Sequence, residues 1–243
     1  MTHKRRGVTV TQVSALPWLL FGALLASFAV AGVLGYQRDQ KRRAALQAYA
    51  ASNGWTYTAS DETWCLRFAG TPFGTGDNLK ARNIVQGAWN GLPMVAFDYS
   101  YETHSTSSKG GRTTTVHPFA VCAVQLRAPL PMLQLTPESV LTRVADALGA
   151  TDIELESEDF NRRYRVKAHD PKFAYDVLNP RTMQALLTVP AQNLRLLDLD
   201  AITWASGKLA PVDLPSRLST LKLLVDGIPP FVWADHTEGE RPA

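Results

Sequence analysis

The sequence predicts an α+β fold with an antiparallel sheet and several short helices, placed behind one transmembrane helix. Three observations predict it. Leu16 to Tyr36, LPWLLFGALLASFAVAGVLGY, is an uncharged run of about 21 residues, long enough to cross a bilayer core as one helix. Ala81–Trp89 and Leu92–Tyr101 flank Asn90-Gly91, the pair that supplies the two positive-φ residues of a type I′ hairpin turn. Further on, helical and strand patterns mix without regular βαβ alternation, which favours an antiparallel sheet over a doubly wound one. The expected organisation is a basic tail over 1–15, a transmembrane helix over 16–36 and a juxtamembrane helix over 37–54. A soluble α+β domain over 55–235 and a disordered tail over 236–243 follow.

The chain has 243 residues and a formal net charge of +3. Behind the apolar run roughly 180 residues remain, enough for a proper hydrophobic core. The positive charge sits at the flanks of that run: Lys4, Arg5, Arg6, Arg38, Lys41, Arg42 and Arg43 stand against Asp39 alone before Gly54. The region Trp55–Asp235 is slightly acidic, which argues against nucleic acid as a partner. Basic flanks are what an anionic lipid bilayer attracts, so the bilayer is the first expected partner. Cys65 and Cys122 have no CxxC spacing and are too few for a disulfide framework. They read as two small buried thiols, with a single disulfide open to them if the domain lies outside the cell.

Ala29-Val30-Ala31 resembles a cleavage site, but the apolar run continues to Leu34 and Tyr36 and then meets Arg38 and Lys41-Arg42-Arg43. That is a stop-transfer pattern, and an uncleaved anchor is expected. Gly22 with Ala26, and Ala31 with Gly35, make small-xxx-small spacings that would seat a second helix and make a homodimer. Four basic residues follow the run and three precede it, so the positive-inside bias places the soluble domain in the cytoplasm.

In chain order, Arg38–Asn53 continues as helix and Gly54 caps it. Trp55–Thr58 reads as a short strand, and Gly70, Pro72, Gly74 and Gly76 mark a loop. The Asn-Gly hairpin comes next, Thr103–Arg112 reads as a flexible loop, and Thr115–Arg127 as a third strand ended by Pro129 and Pro131. Pro137–Leu148 reads as a helix opened by Thr136 and stopped by Gly149. In Asp152–Leu187, Ile153 and Leu155 alternate with acids, and Tyr164 and Val166 with bases. The two halves read as a hairpin through Ser157–Arg162 whose acidic row faces a basic one. Asp170-Pro171 and Asn179-Pro180 each set a capping side chain before a proline, and so open two short helices. Leu194–Asp198 and Ala201–Ala205 read as a last hairpin. Asp213 opens a helix closed by Gly227, and Phe231-Val232-Trp233 packs back on the domain.

The stretch Leu155-Glu156-Ser157, Phe160, Tyr164, Val166, Asp170, Ala174, Leu178, Pro180 and Met183 resembles the signature of an uncharacterised bacterial, actinobacterial-type family of single-pass membrane proteins. Gly54-Trp55, Pro72-Phe73-Gly74 and Phe97-Asp98-Tyr99 are similar to proteins of the same layout. The resemblance implies a single membrane pass and a soluble domain of unknown function. It implies no activity and no catalytic residue.

No stretch matches GxGxxG, GxxxxGK[ST], HExxH or GxSxG, so no catalytic, cofactor or metal residue is expected. Glu154, Glu156, Glu158 and Asp159 form the densest acidic cluster, and it reads as a solvated face opposed by Arg163, Arg165 and Lys167. His104, His117 and His169 are too dispersed for zinc. Cys65 or Cys122 would need the fold to bring His117 alongside to make a nucleophile. The reading is a non-enzymatic membrane protein whose domain binds a protein or envelope partner at the membrane face. The alternatives are a membrane-tethered hydrolase with a dispersed site, and an anionic-lipid-binding domain that uses Arg38, Lys41, Arg42 and Arg43.

Overall fold

The computed structural model describes residues 16–106, 110–138 and 150–238. Ala44 closes the first of two compact units and Ala45 opens the second. Helix α1 runs Leu16–Ser52, so one helix takes in both the uncharged run and the basic flank behind it. Among the described residues no helix is long and apolar enough to cross a membrane. The side chains of residues 16–23 and 25 lie outside the described set. In the first unit Leu24, Phe28, Val30, Val33, Leu34 and Tyr36 are exposed.

In the second unit the last turns of α1 bury Leu46 and Ala50. Gly54, at φ +68°, ends the helix, a backbone conformation that costs glycine nothing. The chain then enters β1 (Thr56–Ser60). Six further strands follow: β2 (Asp77–Trp89), β3 (Leu92–Thr106), β4 (Arg112–Pro137), β5 (Thr151–Ile153), β6 (Tyr164–Ala168) and β7 (Asn193–Ser206). They form one antiparallel sheet ordered β1-β2-β3-β4-β6-β5, with β7 paired to β4. Asn90 and Gly91 both take positive φ between the paired Trp89 and Leu92, as the type I′ reading requires.

Three expectations are corrected here. Thr103–Thr106 and Arg112, read as loop, are paired strand, and the third strand begins at Arg112 instead of Thr115; residues 107–109 lie outside the described set. Pro129 and Pro131 do not end β4. Its pairing with β3 stops at Val124 and with β6 begins at Leu133, and against β7 the register shifts twice between Gln125 and Leu133. The prolines fall inside that bulged stretch, where a missing N–H breaks no regular ladder. The helix expected over Pro137–Leu148 lies mostly outside the described residues, but Pro137 itself is strand, paired with Tyr164.

The last hairpin is corrected too. Leu194–Asp198 and Ala201–Ala205 belong to one strand, β7, and both halves pair with β4. Asp198, at φ +53°, takes the bend that reads as a turn in the sequence. The bend doubles β7 back on itself: Asn193 Nδ2 donates to Trp204 O at 3.0 Å, and Thr203 Oγ1 to Gln192 Oε1 at 3.1 Å. A bulged pair of strands thus bends sharply within one sheet.

The Asp152–Leu187 stretch pairs as expected through Thr151↔Ala168, Asp152↔Lys167 and Ile153↔Val166, but its connection holds a helix, α2 (Glu158–Arg163). Ser157 caps it, and both Leu155 backbone groups bond the Asn161 side chain instead of a strand. Glu158 and Asp159 are therefore in a helix's first turn with Arg162 behind them, not in a strand row. Asp170 and Asn179 cap α3 (Pro171–Val177) and α4 (Pro180–Leu187), their carboxylate and amide oxygens accepting from Lys172 N and Thr182 N. Helix α5 (Leu214–Asp226) buries Leu214, Leu218, Leu221 and Leu224. Helix α6 (Pro230–Glu238) buries Val232 and Trp233 and carries His236–Glu238, which the sequence reading placed in a disordered tail.

The helices pack on one face of the sheet, where Val85, Ala96, Cys122 and Leu133 meet Phe173, Leu186, Leu218 and Leu221. The other face, with Ile84, Phe97, Tyr99, Val121 and Trp204, is covered by the 61–76 loop through Cys65, Phe68 and Phe73. Arg195 lies on that second face, fully buried, and among the described residues it has no carboxylate partner. Its Nε and one Nη donate to Gln134 Oε1 at 3.0 and 2.7 Å. The remaining N–H groups reach the carbonyls of Ala69, Gly70 (3.2 Å) and Thr71 (2.6 Å). Five donors thus find five bonds. The guanidinium also lies 4.7 Å from the centroid of the Trp204 ring. Burial draws its pKa down to about 10.

Replacing Arg195 by Met leaves three loop carbonyls and Gln134 unsatisfied, at about 1–3 kcal/mol each where they stay dry. Arg195→Met is expected to lose about 3 kcal/mol or more in equilibrium urea unfolding, against under about 1 kcal/mol for the exposed Arg162→Met. Equal losses would show that the Arg195 bonds do not hold the loop.

Candidate functional site

The 61–76 loop is a roof with three fastenings. Asp61 accepts from Thr63 Oγ1 at 2.7 Å and Thr63 N at 3.0 Å and starts a 3-10 turn, Glu62–Cys65, and these bonds, the hydroxyl's first, hold its carboxyl below the usual range. The turn sets Trp64 over Phe97, with ring centroids 6.0 Å apart. Arg67 then forks onto Asp200 in β7, its Nε and Nη2 donating at 3.0 and 3.1 Å. Arg195 grips the carbonyls that follow. Phe68, Phe73, Phe97, Tyr99 and Trp204 fill the space beneath with ring contacts of 5.2–6.1 Å.

The open end of the roof leaves a cleft of about 200 Å³. Trp64, Val95 and Ala123 form apolar wall, Gln86 and Gln125 bring amides, and the Arg67–Asp200 pair closes one side. Close by, Trp55 lies over Gly87, where a Cβ would collide with the indole, and its Nε1 donates to Ala88 O at 3.1 Å. Burial pushes the Asp200 carboxyl up and Arg67 opposes it. The cleft can hold a ligand by shape, amide hydrogen bonds and a compensated ion pair. Among the described residues no serine, cysteine or histidine lines it.

The sequence-derived residues fall elsewhere. Lys4, Arg5 and Arg6 lie outside the described residues. Arg38 and Lys41 are exposed, while Arg42 and Arg43 both bond Asp39, at 3.0 and 2.9 Å. The acidic cluster does not converge: Glu154 and Glu156 are exposed beyond β5, and Arg165 bonds Asp152 at 2.6 Å. His104 and His117 contact Thr114 and Thr103 on opposite faces of the β3–β4 hairpin. Among the described residues no three His, Cys, Asp or Glu side chains could hold a metal. Cys65 and Cys122 are free, buried and on opposite faces of the sheet. Burial raises both thiols, Cys122 to about 12, which keeps them protonated and unreactive. Cys122 faces the helices, away from His117. Arg67–Asp200 and Arg195 escaped the sequence reading because their partners are 61 to 133 residues away.

No family model matches the chain, and no curated protein matches it. Among solved structures it is similar to the crystal structure of the mycobacterial trehalose monomycolate transport factor A, TtfA. The fold is similar to that of an actinobacterial transport factor. The TM-score is 0.60 at 15% identity, over 77% of this chain and 96% of TtfA. At that identity the likeness is one of fold, and it agrees with the actinobacterial layout to which the sequence is similar.

Without Arg67 the Asp200 carboxyl loses its counter-charge and its pKa climbs further. A carboxyl raised by folding binds more protons folded than unfolded, so it takes stability away as pH climbs past its unfolded value. Arg67→Leu is therefore expected to lose more stability at about pH 8 than at about pH 5. Arg67→Leu/Asp200→Asn should lose the same at both, as read by urea unfolding. A pH-independent loss in the single variant would show that the pair does not balance a buried charge.

Proposed function

We propose that this protein is a non-enzymatic accessory factor of the cell envelope. In this reading its N-terminal helix anchors it to the membrane, and its α+β domain binds a protein or envelope partner there. The observation that carries the reading is the fold, similar over most of both chains to a transport factor for trehalose monomycolate. Two features support it. Large apolar side chains from Leu24 to Tyr36 stand exposed on α1, which is costly in water and favourable in lipid. The cleft under the 61–76 loop offers a binding surface without a nucleophile or an unbalanced acid. Arg38 and Lys41 then lie where anionic headgroups would meet them, with the domain on the cytoplasmic side.

An arginine at the centre of a membrane helix costs about 2.5–3.5 kcal/mol by insertion scales. The full chain is expected to stay with membranes through an alkaline carbonate wash, and Phe28→Arg/Val30→Arg to appear in the soluble fraction. Recovery of the unsubstituted chain as a soluble protein would overturn the anchor.

A further inference from the structure

A second cleft, of about 300 Å³, opens where the first turn of α5 meets the start of β7. Its wall is mostly apolar: Pro137, Pro190, Ala191, Val212 and the Trp204 neighbourhood. Arg217 projects from α5 onto this wall. Among the described residues it makes no hydrogen bond or ion pair, and its Nε is buried without an acceptor. That one buried N–H is costly, while the two Nη groups of this half-buried arginine are left to face the cleft. Among the described residues, the two side-chain amides of the cleft are engaged elsewhere. Gln192 Oε1 accepts from Thr203 while its amide donates to Thr220 at 3.0 Å, and Asn193 bonds Trp204 O. Asp213, four residues before Arg217, neither pairs with it nor caps the helix.

We propose that this cleft binds a small amphiphile by its carboxylate. The carboxylate forks onto Arg217, and the apolar tail lies along Pro137, Pro190 and Val212. A carboxylate matches the planar guanidinium with two parallel bonds, and the proline-rich wall has few N–H groups of its own to waste. At about 30 Å³ for each non-hydrogen atom, the cleft takes about ten such atoms, the size of octanoate. Asp213 opposes the bound charge and so sets a limit on affinity.

The test is a titration of carboxyl-labelled octanoate into the full chain in lipid nanodiscs, followed by NMR against empty nanodiscs. Saturable binding is expected, weakened at least about tenfold by Arg217→Gln and at least about tenfold for octanol, and tightened by Asp213→Asn. Arg217→Lys, which keeps the charge but loses the fork, should fall between. Absence of saturable binding at millimolar octanoate overturns the proposal, as does binding that Arg217→Gln leaves unchanged. If Arg217→Gln does not fold, the Asp213→Asn comparison decides, and unchanged or weaker binding there overturns it.

Discussion

A buried guanidinium, without a counter-ion among the described residues, ties the 61–76 loop to the sheet. Arg195 is placed by the strand it belongs to, on the face opposite Leu194 and Leu196, and it must be satisfied there because it cannot shed its proton at neutral pH. Carbonyls of an irregular backbone can meet several donors at once, and the 69–71 segment supplies three of them. The loop is thereby fixed over one face of the sheet. Gln134, across the β4–β7 ladder, supplies the fourth acceptor, and Trp204 from the other half of β7 supplies the ring. A single side chain thus joins the loop to both halves of a bent strand.

The bend makes that possible. If β4 and β7 ran straight, residues 193 and 204 would lie roughly 35 Å apart at strand rise. The bulge at Gln125–Leu133 and the positive φ of Asp198 bring them into hydrogen-bond contact. Both clefts are consequences. One opens where the roofing loop stops short of the strand ends; the other opens where doubled-back β7 meets α5. Each is bordered by an arginine, in the first case matched by Asp200 and in the second left without a partner among the described residues.

What could be read from the sequence was whatever short-range chemistry decides. Asn90-Gly91 made its turn, and Asp170-Pro171 and Asn179-Pro180 opened their helices, because a turn or cap is settled within four residues. Local rules failed where long-range pairing overrode them. Pro129 and Pro131 read as a strand end, yet β4 runs past them because the neighbouring ladders do not need their N–H groups. Asp198 read as a turn, yet its strand has a continuous partner in β4 on both sides of the bend. Ser157–Arg162 read as a strand connection, but the serine cap and the Glu158/Asp159–Arg162 pattern fit a helical turn better. Neither Arg67 nor Arg195 carries any local sign of its partner.

The central claim is that the roofed cleft is a binding surface for a partner at the membrane. The most direct measurement places a photo-crosslinking amino acid at Gln125, exposed at the mouth of that cleft, and at Glu158, exposed on α2, in living cells. The account predicts a discrete adduct from position 125 that position 158 does not form, recovered with membranes. Adducts of the same kind from both positions, or none from 125, would contradict it.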